Sequence, residues 1–307
     1  MLLSACRAHQ ARISGLAAHV ARTTIHPFIL TFKSYFLLLV QTTFQASAVD
    51  LVHVDDFEGG SPQNWLIGHR SSPNIPVNVT TGGPAGAGDN YLSYTSIGSG
   101  SIASRMLVFN RRLQWEGNYL ALGPVGFKLD VRNAGPTPLN LRIGLSDSVG
   151  ELDNWIATAQ PVVIPTNNTW MSVFIPIQEG NFTVAQGSVS VSNVLADVES
   201  IRIFSSAAPA FRGDVIDATI HFDNLRLVSL PSLPRLSIEK TSGSAADVKW
   251  TGTNGFFYQV ISAAQLPSTS FTTNGSAMSG SSELRQSVGT SSGNAFFQLQ
   301  YTGGAKE

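Results

Sequence analysis

The chain has 307 residues, of which 43% are hydrophobic and only 13% are charged, with a formal net charge of −1. This apolar content argues against a disordered chain, and the length is sufficient for at least one full core. A chain without a basic run is a poor partner for nucleic acid or an anionic membrane, so we exclude both. The single cysteine, Cys6, leaves no disulfide and no cysteine-containing metal site.

Residues 1–48 have the pattern of an export signal. The charged residues of this segment are all basic: Arg7, Arg12, Arg22 and Lys33. An apolar run at 35–40 follows Lys33, and the small residues Ala46 and Ala48 precede a predicted cleavage site after Ala48. Because the run is too short to span a bilayer and the tail is polar, we predict a secreted protein without a transmembrane anchor. The segment before Lys33 is long for the start of a signal, which a start codon placed too early or a transit peptide would explain, and an N-terminal amphipathic helix of the mature protein is the alternative.

From Val49 onward the chain alternates apolar and polar residues in short runs, which indicates β-strands. Residues 125–131 and 139–145 each place every second side chain, all of them apolar, on one face. Asn, Gly and Pro at 133–138 supply turn chemistry between these runs. We therefore predict that the two strands form a hairpin.

The strand predicted at 218–228 keeps its alternation only if the chain changes phase at Asp223 and Asn224. Such a change predicts a β-bulge, which redirects side chains. One helical turn or short helix is predicted near 194–200, and nothing else in the sequence has a helical pattern.

Pro231 and Pro234 mark a stiff linker at 230–235, between a larger region at 49–229 and a second set of strands at 236–307. A unit of about 70 residues without a disulfide is marginally stable alone, so we expect it to pack against the larger region. The predicted fold class is all-β.

Three segments of the larger region together resemble one family. They read D-D-F-E-G at 55–59, G-D-N-Y-L at 88–92 and F-D-N-L-R-L at 222–227. In this order they resemble the galactose-binding-like jelly-roll domains of secreted bacterial carbohydrate-binding modules. The resemblance implies a jelly-roll β-sandwich of two packed antiparallel sheets.

The smaller region resembles the C-terminal immunoglobulin-like units of large secreted bacterial proteins. The resemblance is carried by V-K-W at 248–250, Y-Q-V at 258–260 and F-F-Q-L at 296–299. It implies a smaller immunoglobulin-like β-sandwich that acts as a spacer or docking unit.

The jelly-roll resemblance also implies a structural calcium ion that joins the first and last strands. Calcium prefers six to eight hard oxygen ligands. The matching positions are Asp56, Glu58, Asp89 and Asp223, of which Asp89 lies in a glycine-rich loop. The alternative is that Asp89 and Asp223 are only turn and bulge residues.

Sugar binding requires an exposed aromatic face beside polar groups. Trp65 and Trp155 lie near predicted loops, and Trp115 has the most polar sequence environment. We predict these three as candidate ligand-binding residues, whereas Trp170 begins an alternating strand and is expected in the core.

The function that these features favour is a non-catalytic carbohydrate-binding or matrix-anchoring module whose partner is a polysaccharide or a cell-surface glycan. A structural extracellular spacer that contacts other proteins is the alternative. A polysaccharide-degrading enzyme is the third reading, since Glu116, Glu151 and Asp153 are available as carboxylates. No nucleophile and base can be paired from the sequence, so no catalytic residue is assigned.

Overall fold

The computed structural model describes residues 49–68, 74–99, 104–148, 154–242, 244–266, 268, 270–289 and 295–306. The leader with its predicted cleavage site after Ala48 lies outside these residues and stays a prediction. Glu151 and Asp153 lie outside them as well.

Twelve strands and one short helix form the larger part of the fold within the described residues. The strands are β1 (Val54–Asp55), β2 (Val77–Val79), β3 (Tyr91–Ile97), β4 (Leu107–Asn110), β5 (Val125–Asn133), β6 (Leu139–Ser146), β7 (Trp155–Thr158), β8 (Val162–Ile164), β9 (Met171–Ile177), β10 (Phe182–Gln186), β11 (Ser200–Ser205) and β12 (Asp217–Ser229). The helix α1 spans Val191–Ala196, slightly before its predicted position, and its N-terminus is capped by the Ser190 side chain.

Seven further strands follow: β13 (Ser237–Ser242), β14 (Ala245–Thr251), β15 (Phe257–Ala263), β16 (Thr272–Ser279), β17 (Glu283–Gly289), β18 (Phe296–Thr302) and β19 (Gly304–Lys306). Three 3-10 turns complete the described elements, at Leu113–Trp115, Tyr119–Leu122 and Glu179–Asn181. The prediction of an all-β fold is confirmed.

The larger part consists of two antiparallel sheets. The seven-stranded sheet has the order β19-β9-β5-β12-β3-β2, with β1 paired to β12. The six-stranded sheet has the order β10-β7-β6-β11-β4, with β8 paired to β6. Alternate side chains of both sheets, such as Phe127 and Phe222 from one and Ile143 and Ile203 from the other, are buried in one shared hydrophobic core. Each such side chain contributes about 1.5–3 kcal/mol on burial, which makes this sandwich the main source of stability.

The predicted hairpin of β5 and β6 is wrong. Strand β5 pairs with β12 and β9 in one sheet, whereas β6 pairs with β11, β7 and β8 in the other. The chain between them crosses from one sheet to the other and passes close to β12. A Cβ atom at Gly135 would lie 2.3 Å from the backbone nitrogen of Thr219. Alternation shows which face of a strand is buried, but two strands that face each other across a core have the same pattern as a hairpin.

The predicted bulge in β12 is confirmed. The register between β12 and β5 shifts between Asp223 and Arg226, and Asn224 takes the left-handed backbone conformation with φ of 53°. Asparagine tolerates this conformation better than most residues. The extra residue lets both Phe222 and Leu225 face the core, with Asp223 and Asn224 between them.

The smaller part consists of two three-stranded sheets, β13-β14-β17 and β16-β15-β18. Their apolar residues form a second core that also contains Phe174 of β9. The chain then returns, because β19 pairs with β9 through Gly304 and Phe174. The expected packing of the smaller region against the larger one is therefore observed, while the domain boundaries at 229 and 236 stay a prediction. Among the described residues no helix is long and apolar enough to cross a membrane.

Candidate functional site

The indole groups of Trp65 and Trp115 converge on a buried carboxylate. The Oδ2 atom of Asp55 accepts hydrogen bonds from the Nε1 atoms of Trp65 at 2.8 Å and Trp115 at 2.9 Å. The Oδ1 atom lies 2.8 Å from Nε2 of His53, and this hydrogen bond raises the pKa of His53. Both tryptophans are 1% exposed. The prediction that they present a face to a sugar is therefore wrong, because their rings belong to a polar cluster inside the sandwich.

Trp155 is also 1% exposed, so the same correction applies to it. The guanidinium carbon of Arg202 lies 3.6 Å from the centre of its ring. Strand β7 places this tryptophan on the face of the six-stranded sheet that points away from the shared core, and a stacked arginine covers the ring. Its position near a loop suggested exposure, but the sequence does not show which side chain lies on top of it.

Trp170 is the tryptophan of the larger part that stays partly exposed. It precedes β9, in which Val173 and Ile175 point into the core and Phe174 points outward. By the two-residue period of a strand, Trp170 shares the outward face with Phe174. The smaller part of the fold packs against Phe174. Trp170 lies two residues before Ser172, just before the N-terminal end of β9. The expectation that Trp170 is a core residue is wrong.

Four side chains meet on this outward face, and we name them the outer-face cluster: Tyr91, Arg132, Trp170 and His221. They come from β3, β5, the start of β9 and β12, and the register places His221 opposite Arg132. The guanidinium carbon of Arg132 lies 4.7 Å from the ring centre of Trp170 and 5.1 Å from that of Tyr91. The two aromatic rings are 5.4 Å apart in an edge-to-face arrangement.

Hydrogen bonds fix the orientation of the outer-face cluster. The Trp170 Nε1 atom donates to the carbonyl of Gly82 at 3.0 Å, which ties the ring to the glycine-rich loop. The Nδ1 atom of His221 accepts from Nε of Arg132 at 3.1 Å and lies 2.9 Å from its second terminal nitrogen. Burial, followed by the charge of Arg132, lowers the pKa of His221 to about 4. The imidazole is therefore neutral at pH 7 and acts as an acceptor.

An acidic row borders the cluster. The side-chain amide of Asn224 donates to Asp130 at 3.1 Å and to Asp223 at 3.0 Å. Burial raises the pKa of Asp130. Burial, followed by the charges of Asp89, Asp130 and Glu58, raises the pKa of Asp223 to about 7. Asp130 is partly exposed and can accept a hydrogen bond from a hydroxyl group, which is the polar contact that a sugar site requires, whereas Asp223 is only 1% exposed.

The residues predicted to bind calcium lie near one another without forming a complete site. Glu58 accepts from the backbone N–H of Asn90 at 2.8 Å, and Asp89 accepts from that of Ala85 at 2.6 Å. Asp56 accepts from the backbone N–H of Glu58 at 3.2 Å. Within the ranges that the structure describes, no group of three or more His, Cys, Asp or Glu side chains is arranged to hold a metal.

One oxygen beside these carboxylates has no partner in the structure. The Asn78 amide donates to the carbonyl of Phe57 at 2.6 Å, next to Glu58 in the chain. Its Oδ1 atom is buried and accepts no hydrogen bond from any described residue. Amide oxygens are suitable calcium ligands, so this atom fits the donor set that calcium prefers.

The sequence analysis missed Tyr91, Arg132 and His221 as site residues. Their signal is present in the sequence, because the nearest outward residue on each strand is polar: Ser93 beside Tyr91, Asp130 beside Arg132, and Thr219 beside His221. The pairing of these strands was unknown, and without it the three residues are not recognisable as neighbours.

No protein-family model and no curated protein matches this chain. Among solved structures, an exo-β-agarase is similar over 58% of this chain and 24% of its own, with 15% identity and a TM-score of 0.42. A second agarase is similar over 58% and 26%, with 13% identity and a TM-score of 0.33. A β-1,2-glucanase from Parabacteroides distasonis is similar over 84% and 39%, with 13% identity and a TM-score of 0.29. The chain thus spans about a quarter of either agarase, and likeness at this level assigns it no activity.

Proposed function

We propose that this chain is a secreted, non-catalytic module that binds extracellular polysaccharide through the outer-face cluster. The larger part would belong with the galactose-binding-like jelly rolls and the smaller part with immunoglobulin-like spacer units. The observation that carries the proposal is a partly exposed tryptophan held beside an arginine, with the partly exposed carboxylate of Asp130 in the next row. An aromatic ring can pack against the apolar face of a pyranose, and the polar neighbours can hold its hydroxyl groups.

The proposal predicts that Trp170→Ala removes most polysaccharide binding. A millimolar affinity corresponds to a binding free energy of only about 4 kcal/mol. The loss of about 1.4 kcal/mol of packing lowers the affinity tenfold, which leaves little measurable binding. Binding to an immobilised polysaccharide array, with calcium present, measures this effect. The control is Phe271→Ala, which removes an exposed aromatic ring of the smaller part and should bind as the wild type does. Trp170→Phe should retain part of the affinity, since a ring remains.

Two results would contradict this proposal. One is that no polysaccharide binds the wild-type protein. The other is that Trp170→Ala binds with unchanged affinity. A chain that binds no glycan would support the structural spacer instead.

A structural calcium ion is a second part of the proposal. Glu58, Asp89 and Asp223 would hold it, with the oxygen of Asn78 as a neutral ligand. The support is the mutual repulsion of these carboxylates, which a divalent cation would relieve, together with the unpartnered Asn78 oxygen. The ion would join the segment after β1 to β12, the first and last strands of the larger part.

Removal of calcium should then lower the melting temperature. A ligand that binds only the folded state stabilises it by about 2.7 kcal/mol at a hundredfold excess over its Kd. Calorimetry with calcium and with chelator should show this difference for the wild type and lose it in Asp223→Ala. Asp217→Ala, an exposed position on the same strand, should keep the difference. Overlapping wild-type curves would leave Glu58, Asp89 and Asp223 as ordinary turn and bulge residues.

A further inference from the structure

The charge of Arg132 has no acidic partner. Across the described ranges, no carboxylate forms an ion pair with it. Its hydrogen-bond acceptor is the imidazole of His221, and its guanidinium lies over the rings of Trp170 and Tyr91. Other arginines of the chain are used differently: Arg285 pairs with Asp247 at 3.1 Å.

Arg142 gives a second contrast. It is 2% exposed, and its donors reach three backbone carbonyls, those of Thr158, Ser206 and Ala207. Its hydrogen-bonding capacity is therefore used within the fold. Arg132, by comparison, is partly exposed and donates to a single acceptor atom. A guanidinium has five N–H donors, so several of those on Arg132 remain for a ligand.

The surroundings hold this guanidinium in a fixed position. Two rings and one imidazole constrain it, so little rotamer entropy is lost when a ligand binds. A carboxylate is the group that matches a planar guanidinium, because it accepts two parallel hydrogen bonds. The aromatic surface of Trp170 lies within 5 Å of the same charge, since the guanidinium carbon is 4.7 Å from its ring centre.

We propose that the outer-face cluster selects acidic polysaccharides, with Arg132 binding the carboxylate of a uronic acid residue. The same sugar unit provides both contacts, because its ring packs beside Trp170 while its carboxylate meets Arg132. Asp130 lies in the neighbouring row and is partly exposed, so its carboxylate can accept a hydrogen bond from a hydroxyl group of the same sugar and favour one orientation. This inference rests on the function proposed above and names its ligand class.

Matched pairs of polymers test the inference. Polygalacturonate and alginate are each compared with their own methyl esters, which keep the sugar ring and remove the charge. Hydrogen bonds to a charged group are worth about 1.5–3 kcal/mol, so we expect the wild type to bind an acid form about ten- to a hundredfold more tightly than its ester. Arg132→Gln should lose this preference and bind the two forms within a few-fold of each other.

Two further variants complete the design. Arg111→Gln is the control, since this exposed guanidinium also lies over an aromatic ring, that of Phe109 at 5.4 Å, but on the other sheet. It should keep the preference for the acid form. Arg132→Lys keeps the positive charge but lacks the planar guanidinium, so it should retain an intermediate preference for the acid form. It replaces Arg132→Gln in the test if that variant does not fold.

The outcomes separate this inference from the function on which it rests. Equal binding of acid and ester by the wild type would overturn the ligand class while leaving polysaccharide binding in place. An unchanged preference for the acid form in both Arg132 variants would overturn the role of Arg132. Absence of binding to these polymers and to a neutral polysaccharide array would overturn the inference and the proposed function together.

Discussion

Replacing Asp55 with alanine should lower the free energy of unfolding by about 3–5 kcal/mol, as expected when one partner of a buried charged interaction is removed. Asp55 is fully buried, and its two carboxylate oxygens form hydrogen bonds with Trp65, Trp115 and His53. Without the carboxylate, two buried indole N–H groups lose their acceptor, and an unsatisfied buried donor costs about 1–3 kcal/mol. Urea denaturation measures the change.

Two other variants make this result specific. Asp55→Asn keeps an oxygen for the indole groups and should cost clearly less than Asp55→Ala. Asp217→Ala removes an exposed carboxylate and should change stability by less than about 0.5 kcal/mol. If Asp55→Ala unfolds at the wild-type midpoint, then the carboxylate is not the centre of the cluster formed by Trp65 and Trp115.

Phe222→Ala should destabilise the protein to a similar extent, by about 3–5 kcal/mol, because it leaves a cavity at the centre of the core. The ring is fully buried and makes edge-to-face contacts with Phe57 at 5.6 Å and Trp65 at 5.1 Å between ring centres. Because Trp65 also bonds to Asp55, the double variant with Asp55→Ala should lose less stability than the two single losses predict together.

The control for the cavity is Phe296→Ala, at a ring that is 39% exposed. It should cost less than about 1 kcal/mol, in the range of surface substitutions. A loss of similar size in both variants, or strictly additive losses in the double variant with Asp55→Ala, would contradict the shared packing of Phe222 and Asp55 on Trp65.

Sequence patterns predicted the elements of this fold better than their partners. The alternation of β5 and β6 located both strands, and the change of phase at Asp223 located the bulge in β12. Both are local properties of a few consecutive residues. Pairing depends on contacts between distant segments, and for this reason β5 and β6 were predicted as a hairpin although they lie in different sheets.

The candidate site was predicted less well for a related physical reason. Trp65 and Trp115 have polar sequence neighbours, yet they are buried because Asp55 enters the core with them and satisfies their N–H groups. Trp170 begins an alternating strand, yet it is partly exposed because its side chain lies on the face of β9 that points away from the core. Burial of an aromatic ring depends on what covers it, which is set by the tertiary structure.

The proposed binding surface can be tested by the five tryptophan indole N–H signals in a nuclear magnetic resonance spectrum. Soluble oligosaccharides from a polysaccharide that binds are titrated into the protein, with assignments from single-tryptophan variants. We expect the signal of Trp170 to shift or broaden with ligand concentration while those of Trp65, Trp115 and Trp155 stay in place. A saturable shift at Trp155 with none at Trp170 would contradict the central claim that the outer-face cluster is the binding site.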